Sequence, residues 1–351
     1  MAGDAQNREL PVGSAALFCG PFVFLASIPL LYRLASAAPF LTVAAILGGI
    51  VLGERFSRVR APSNGGPAVA FRLLPILYIP LQFAEIIWAA SAAPHATVLG
   101  FASLALSTGV TIGVFGVLAA HEMVHSRARA ERFWGGVMVT AMTYRHFRIA
   151  HLYLHHRLAA TARDPSTARR GESVYAFFVR TVWQQLHQSW LFEARRVAGK
   201  PYAFLRNRVL HDILVTLALY AALFALWGPL AALFLFVESF IGIFVLEVFN
   251  YVAHYGLERR QNAQGGLEPF SDLHSWNNSA APANLLIFNM GRHSDHHRRP
   301  SASYEQLRPA ARAPELPAGY AGSIMMALVP PLWTRVMGRA LLRWQPTSRD
   351  A

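Results

Sequence analysis

Residues 96–125 read ATVLGFASLALSTGVTIGVFGVLAAHEMVH, a run that carries no charged side chain up to Ala120 and then passes directly into a histidine pair. About 20 apolar residues are enough for a helix to cross the hydrocarbon core of a membrane. His121 and His125 are four residues apart, which puts both imidazoles on one face of a continuing helix. The stretch therefore predicts a membrane span that ends in two potential metal ligands.

The rest of the chain is also rich in apolar runs. It is 54% hydrophobic and only 15% charged, and its mean hydropathy is +0.31. Very short connections separate the apolar runs in pairs, which is typical of helical hairpins. The sequence predicts an all-α integral membrane protein with six transmembrane helices, at residues 14–36, 37–53, 73–93, 96–120, 209–228 and 229–249.

Basic residues indicate the orientation. Of the 32 Lys and Arg residues, fifteen lie between positions 121 and 210 and eleven lie after position 254, whereas only Arg33 falls on the opposite side. The positive-inside rule then places both termini in the cytoplasm, as expected for a bacterial-type inner membrane. Topology and anionic lipid account for the net charge of +13 better than nucleic-acid binding does. The single cysteine, Cys19, fits a reducing compartment.

This orientation divides the chain into alternating membrane and cytosolic parts. We expect a cytosolic helical cap made of two segments, each of which follows a group of spans. The predicted order is spans 1 to 4 at residues 1–120, a cytosolic helical segment at 121–208, spans 5 and 6 at 209–250, and a cytosolic C-terminal segment at 251–351.

Nine histidines stand in short groups at the cytosolic ends of the apolar runs. They are His121, His125, His151, His155, His156, His254, His293, His296 and His297. Imidazole is a common ligand for iron, copper, zinc and nickel, and so many rings imply more than one metal ion. His95, His187 and His211 lack companions and are interpreted as structural, while His146 and His274 are intermediate.

The HEMVH motif at 121–125 also matches the zinc-protease signature, in which Glu122 would act as a base. Zinc normally takes three or four protein ligands, far fewer than this chain offers. We therefore interpret Glu122 as a hydrogen-bond acceptor that orients a ligand imidazole. A metal transporter without catalysis is a further alternative, although the spans contain few charged residues besides Glu85, Glu238 and Glu247.

At these histidines the chain resembles the integral-membrane, non-haem di-iron alkane 1-monooxygenases (AlkB type), within the membrane fatty acid desaturase and hydroxylase superfamily. The likeness covers nearly everything from residue 115 to 340. It rests on HEMVH at 121–125, HLYLHH at 151–156, NYVAHYG at 250–256 and RHSDHH at 292–297, with DPS at 164–166, GES at 171–173, HSWN at 274–277 and LPAGY at 316–320.

The resemblance implies a di-iron centre with the nine clustered histidines as its ligands. It also implies activation of O2 and hydroxylation of an unactivated terminal or methyl C–H bond in an alkane or an alkyl or acyl chain. A fatty-acyl desaturase is the alternative inside the superfamily, and an intramembrane zinc metalloprotease is the alternative outside it. The residues expected to hydrogen-bond the ligands from behind are Glu122, Asp164, Glu172, His274 and Asp295.

The chain departs from the family at four positions near the motifs. Ala150 and Ala253 stand where the family typically has Glu, Ser126 stands where Lys is usual, and Gly291 stands where Gln is usual. All nine ligand positions are retained. The loss of two carboxylates next to the ligands is expected to alter iron affinity or potential.

Oxygenation consumes two external electrons, and the chain has neither a C-x-x-C pair nor a G-x-G-x-x-G fingerprint. The donor is therefore expected to be a separate protein, which the resemblance identifies as a rubredoxin or a ferredoxin with its reductase. A cytosolic arginine-rich surface is expected to attract it electrostatically. This surface includes Arg127, Arg129, Arg132, Arg169, Arg170, Arg298 and Arg299.

The charge distribution yields a topological prediction. Reporters fused after Arg8, after Arg60 and at Ala351 should report the cytoplasm, and one inserted at Ala93 should report the far side of the membrane. A paired assay with alkaline phosphatase and green fluorescent protein measures both outcomes. A cytoplasmic signal from Ala93 would contradict the hairpin between the third and fourth spans.

Overall fold

The structure is a computed structural model that describes residues 15–56, 61, 68–261 and 266–344. Within those ranges every regular element is a helix, apart from two isolated bridges that join Gln261 to Leu267 and Asn277 to Glu315. The all-α prediction is confirmed for this part of the chain. The two termini, which were predicted to be cytoplasmic, lie outside the described residues.

The helices follow one another with few long connections. In chain order they are α1 (Gly20–Leu34), α2 (Phe40–Phe56), α3 (Ala68–Ala92), α4 (Val98–His125), α5 (Arg129–Ala141), α6 (147–158), α7 (Val174–Val197), α8 (Arg208–Trp227), α9 (Pro229–His254), α10 (Ala281–Leu286), α11 (His293–Arg298), α12 (Gly319–Ala327) and α13 (Pro330–Trp344).

Six of these helices occupy the predicted spans. Among the described residues, α3, α4, α8 and α9 are long and apolar enough to cross a membrane. Helices α1 and α2 are also apolar but have only 15 and 17 residues, fewer than the roughly 20 needed for a full crossing. The chain is thus an integral membrane protein with four candidate spans, while the number six remains a prediction.

Turn chemistry explains the two hairpins among the long spans. The side chain of Thr97 accepts a hydrogen bond from the backbone N–H of Gly100 and caps the start of α4. Gly228 has a φ of +81°, a conformation that favours glycine, and Pro229 then opens α9. Both hairpins return the chain to the side on which α4 and α9 end in histidine.

Helices α4 and α9 pack with their backbones almost in contact. A Cβ atom added to Gly113 would lie 2.7 Å from the carbonyl oxygen of Gly242, and one added to Gly109 would lie 2.8 Å from the carbonyl oxygen of Glu238. Small residues permit this approach, which drives helix association inside membranes. The contact fixes the relative position of two helix ends that carry histidines.

Helices α7 and α13 pack against the last turns of α9. Helix α7 crosses α9, where the ring of Phe177 packs 5.3 Å from that of Tyr251 and the Gln185 amide donates to buried Glu247 at 2.8 Å. Trp333 of α13 is fully buried and packs 5.6 Å from Tyr251. Elements distant in sequence therefore meet around the last turns of α9.

The α4–α9 contact predicts a large difference between two glycines. Replacement of Gly113 by Ala should lower stability by about 1–3 kcal/mol because the new methyl group collides with the backbone of α9. Gly48 of α2 is the matched control, since a Cβ there has no neighbour within 4 Å. Thermal unfolding of the detergent-solubilised variants measures the effect, and equal melting temperatures would contradict the packing argument.

Candidate metal centre

Two long helices deliver three of the clustered histidines. Helix α4 continues through a π-helical turn at Ile112–Gly116, and His121 and His125 follow one turn apart with ring centroids separated by 4.7 Å. His254 is the last residue of α9, and Gly256 with a φ of +68° then turns the chain away. The predictions for these helix ends are confirmed.

Helix α6 presents its histidines differently from the sequence-based expectation. From spacing alone, His151, His155 and His156 are expected on one α-helix, with His155 and His156 flanking the face that His151 shares. Instead, residues Ala150–His155 form a π-helical turn, in which side chains five apart come together. The Nε2 atoms of His151 and His156 lie 3.0 Å apart, while His155 points into a different cluster.

The nine histidines form two compact groups. Within each group, the potential ligand atoms all lie within 4.8 Å of one another. Group one contains His121, His125, His151, His156 and His296, and group two contains His155, His254, His293 and His297.

The Nε2 atoms of neighbouring rings approach to about hydrogen-bond distance. The separations are 3.1 Å for His121–His296, 2.9 Å for His125–His151, 3.2 Å for His156–His296, 3.1 Å for His254–His293 and 3.2 Å for His293–His297.

These separations fit metal coordination. A neutral imidazole carries one N–H, so five converging nitrogens cannot satisfy one another by hydrogen bonding alone. For a metal–nitrogen distance of about 2.1 Å, ligands at right angles lie about 3.0 Å apart and tetrahedral ligands about 3.4 Å apart. The observed values of 2.9–3.2 Å match the edges of such a coordination sphere. Each group is therefore suited to hold one metal ion.

The environment keeps the imidazoles in the form that binds metal. Burial lowers the pKa of His151, His293 and His296 well below the ordinary range, and the neighbouring imidazoles lower it further. The pKa values of His156 and His297 shift in the same direction for the same reasons. At neutral pH these rings are uncharged, which is a requirement for ligation.

Among the residues expected to hydrogen-bond the ligands from behind, Asp164 contacts a clustered imidazole. Its Oδ2 atom lies 2.8 Å from Nδ1 of His155, and it also accepts a hydrogen bond from the Thr167 hydroxyl. Burial acts to raise the pKa of Asp164, but contacts with His155 hold it below its usual value. Nε2 of His155 has no hydrogen-bond partner in the described structure and is directed at group two. This is the arrangement expected for a metal ligand oriented from behind.

The other four residues expected to hydrogen-bond the ligands contact residues outside the two histidine groups instead. Glu122 accepts a hydrogen bond from the backbone N–H of Tyr304 at 3.1 Å, and Glu172 pairs with Arg180 at 2.7 Å. His274 and Asp295 likewise contact residues outside the two groups. Their partners are Glu268 and Ser271 for His274, and Arg299 and Arg308 for Asp295.

The histidines interpreted as structural lie outside both groups. These are His95, His187 and His211. His146, the intermediate case, also lies outside both groups, and its ring packs 4.5 Å from that of Tyr144. Ala150 and Ala253, which replace the family's carboxylates, are buried.

Two features near the groups carry no signal in the sequence. The ring of Phe270 stacks on His297, with centroids 4.7 Å apart and an interplanar angle of 24°. A cavity of about 370 Å³ opens beside His125, and its charged lining residues are Glu122, Glu131, Glu305, Arg72 and Arg127. Both features depend on loops that chain topology brings to the site, so no residue spacing predicts them.

Comparison with known proteins gives consistent relatives. The profile of the fatty acid desaturase family matches residues 94–326. Alkane 1-monooxygenase 1 of Alcanivorax borkumensis is 36% identical over 303 residues, which cover 84% of this chain and 74% of that protein. Alkane 1-monooxygenase of Ectopseudomonas oleovorans is 35% identical over 279 residues, covering 78% and 69%. The xylene/toluene monooxygenase hydroxylase component XylM of Pseudomonas putida is 27% identical over 248 residues, covering 70% and 65%.

The contact between Asp164 and His155 predicts a selective loss of metal affinity. In Asp164→Asn, the amide can donate to Nδ1 of His155 and so move the imidazole proton to Nε2, the atom that faces group two. Iron affinity should fall about 10–100-fold, as measured by competition with a chelator. Glu172→Gln is the control, because Glu172 contacts Arg180 instead of a clustered imidazole. Equal losses in both variants would contradict the assignment.

Proposed function

This chain belongs to the fatty acid desaturase family and, within it, to the alkane 1-monooxygenases, and we propose on that premise that it hydroxylates a terminal or methyl C–H bond of an apolar substrate. The enzyme is an oxidoreductase of the monooxygenase type. The observation that carries the proposal is the convergence of nine imidazoles into two metal-sized groups, to which the apolar helices α4 and α9 contribute three.

The two groups are proposed to hold two non-haem iron ions, with all nine histidines as ligands. Iron accepts imidazole ligands readily, whereas a single zinc ion would leave most of these side chains without a role. When bound, the iron pair supplies activation of O2, so that one oxygen atom enters the C–H bond and the other leaves as water with two electrons and two protons consumed.

The chain's own residues provide the setting for this chemistry. Aromatic rings line the imidazoles: buried Phe147 stacks 5.0 Å from His151, and partly buried Phe249 lies 5.6 Å from His293. Apolar walls limit the access of water, which would otherwise intercept a reactive oxidant. Asp164 holds the ring of His155 in its ligating orientation. These residues position and shield, while the metal performs the oxidation.

The proposed membrane arrangement has six spans, with the metal groups and both termini on the cytoplasmic side. The division predicted from the sequence fits this arrangement: spans at 1–120 and 209–250, and cytosolic segments at 121–208 and 251–351. An apolar substrate can then reach the groups from the bilayer, since α4 and α9 lead from hydrocarbon to histidine. Electrons come from a separate donor, a rubredoxin or a ferredoxin with its reductase.

Desaturation remains the competing reaction, since the family profile is named for desaturases. The relatives with 35–36% identity are named as alkane monooxygenases, and the relative with 27% identity is named as a xylene/toluene monooxygenase component. Hydroxylation is therefore favoured, with alkanes and alkyl aromatics as the first substrates to test.

Iron content and product identity test the proposal together. Purified membranes supplied with a donor system, O2 and a panel of alkanes, alkylbenzenes and fatty acids should produce primary alcohols, which mass spectrometry identifies. The protein in them should hold about two irons. His155→Ala and His296→Ala should each lose iron and product, since each removes one ligand. His187→Ala, at an isolated histidine, should retain both. Alkenes without alcohols would identify a desaturase, and one zinc per chain would reject the di-iron centre.

A further inference from the structure

A short loop segment covers group two and carries an aromatic ring to the surface. Phe270 is partly exposed, stacks on His297 at 4.7 Å, and lies 5.4 Å from the ring of His274. The adjacent Leu273 is 39% exposed. One partly exposed apolar side chain, that of Phe270, thus stands in direct contact with a proposed iron ligand.

The ring beneath Phe270 lies where the two groups meet. His297 belongs to group two and His156 to group one, yet their ring centroids are only 4.6 Å apart. Electron transfer across non-bonded gaps falls off exponentially with distance, so stacked rings give a favourable route. An electron that arrives through Phe270 reaches a contact shared by both groups.

The surface around Phe270 is basic. Arg298 follows His297 and has a half-exposed side chain, and Arg157 follows His156. Arg259 donates to the backbone carbonyls of Arg157 and Glu268, which ties the neighbouring segments to the same loop. We define the Phe270 face as Phe270, Leu273, Arg157, Arg259, Arg260 and Arg298. Three acidic groups lie near these four arginines in the described structure. Asp272 and Glu268 already contact Arg298 and His274, and exposed Glu258 directly precedes Arg259 in the chain.

The second opening near the groups has mixed charge. The cavity beside His125 measures about 370 Å³, which admits small molecules but no folded protein. Glu122, Glu131 and Glu305 line it together with Arg72 and Arg127, and Arg72 pairs with Glu131. The cavity therefore offers an acidic protein no basic surface of its own, and the Phe270 face is the better match.

We propose that the separate electron donor, a small acidic iron protein, docks on the Phe270 face and passes its electrons through the Phe270–His297 stack. This inference rests on the proposed function and adds the donor's position to it. Each encounter oxidises the donor by one electron and reduces the metal centre by one, so two encounters supply one hydroxylation.

Binding tests the docking half of the proposal. In neutral-lipid nanodiscs, Arg157→Glu combined with Arg260→Glu should weaken the affinity for a purified acidic rubredoxin on the order of tenfold, and moderate salt should weaken the affinity of the unchanged protein similarly. Arg127→Glu is the matched control, because Arg127 lines the cavity beside His125 and is not part of the Phe270 face. Unchanged affinity in the double variant would overturn the docking site. So would an effect seen only with anionic vesicles, which would leave these arginines a purely lipid-binding role.

Reduction kinetics test the electron route. Phe270→Leu keeps an apolar contact but removes the ring, so donor affinity should persist while the rate of iron reduction by bound donor falls about tenfold. Phe133→Leu, at an exposed ring of α5, is the control. Iron content measured on every variant separates loss of the metal from loss of transfer. An unchanged reduction rate would overturn the route, whereas normal reduction without hydroxylated product would refute only the proposed function.

Discussion

The convergence of nine imidazole nitrogens in a buried space is the constraint on which this architecture depends. Neighbouring Nε2 atoms lie 2.9–3.2 Å apart, and burial lowers the pKa of His151 and His296, which keeps these rings neutral. Unpartnered nitrogens held this close would cost about 1–3 kcal/mol each unless a shared ligand satisfied them. The helices that carry them must therefore be positioned rigidly. The glycine contacts of α4 with α9 and the crossing of α7 over α9 provide that rigidity.

Much of the fold could be predicted because membrane spans and helical spacing are local properties. The apolar runs became helices at the expected positions, and the pair His121 and His125 follows from a spacing of four residues. The division between His155 and His156 could not be predicted, because a π-helical turn depends on tertiary packing that no residue spacing reveals. The bounds of the first two helices also differ from the expectation, since α1 covers only Gly20–Leu34 of the run 14–36, and α2 is shifted to Phe40–Phe56 from the run 37–53.

The residues that contact the clustered histidines were predicted only in part, because these contacts also depend on tertiary packing. Asp164 is nine residues from His155 and returns to it through a tight loop, which a family motif can indicate. Glu122 adjoins a ligand in sequence, but adjacent helical residues face different directions, and its carboxylate meets Tyr304 instead. Phe270 lies outside the motifs, four residues before HSWN, and it reaches His297 only because of the path of the C-terminal segment.

The backbone contact between α4 and α9 has a consequence for the path of a hydrocarbon chain. At Gly109, Gly113 and Gly242 no room remains for even one methyl group, so a chain of methylene groups cannot thread between these helices. Any tunnel from the bilayer must run along another side of α4 or α9. Side chains from the helices on that side would then form its walls, and their volume would set the longest chain that fits.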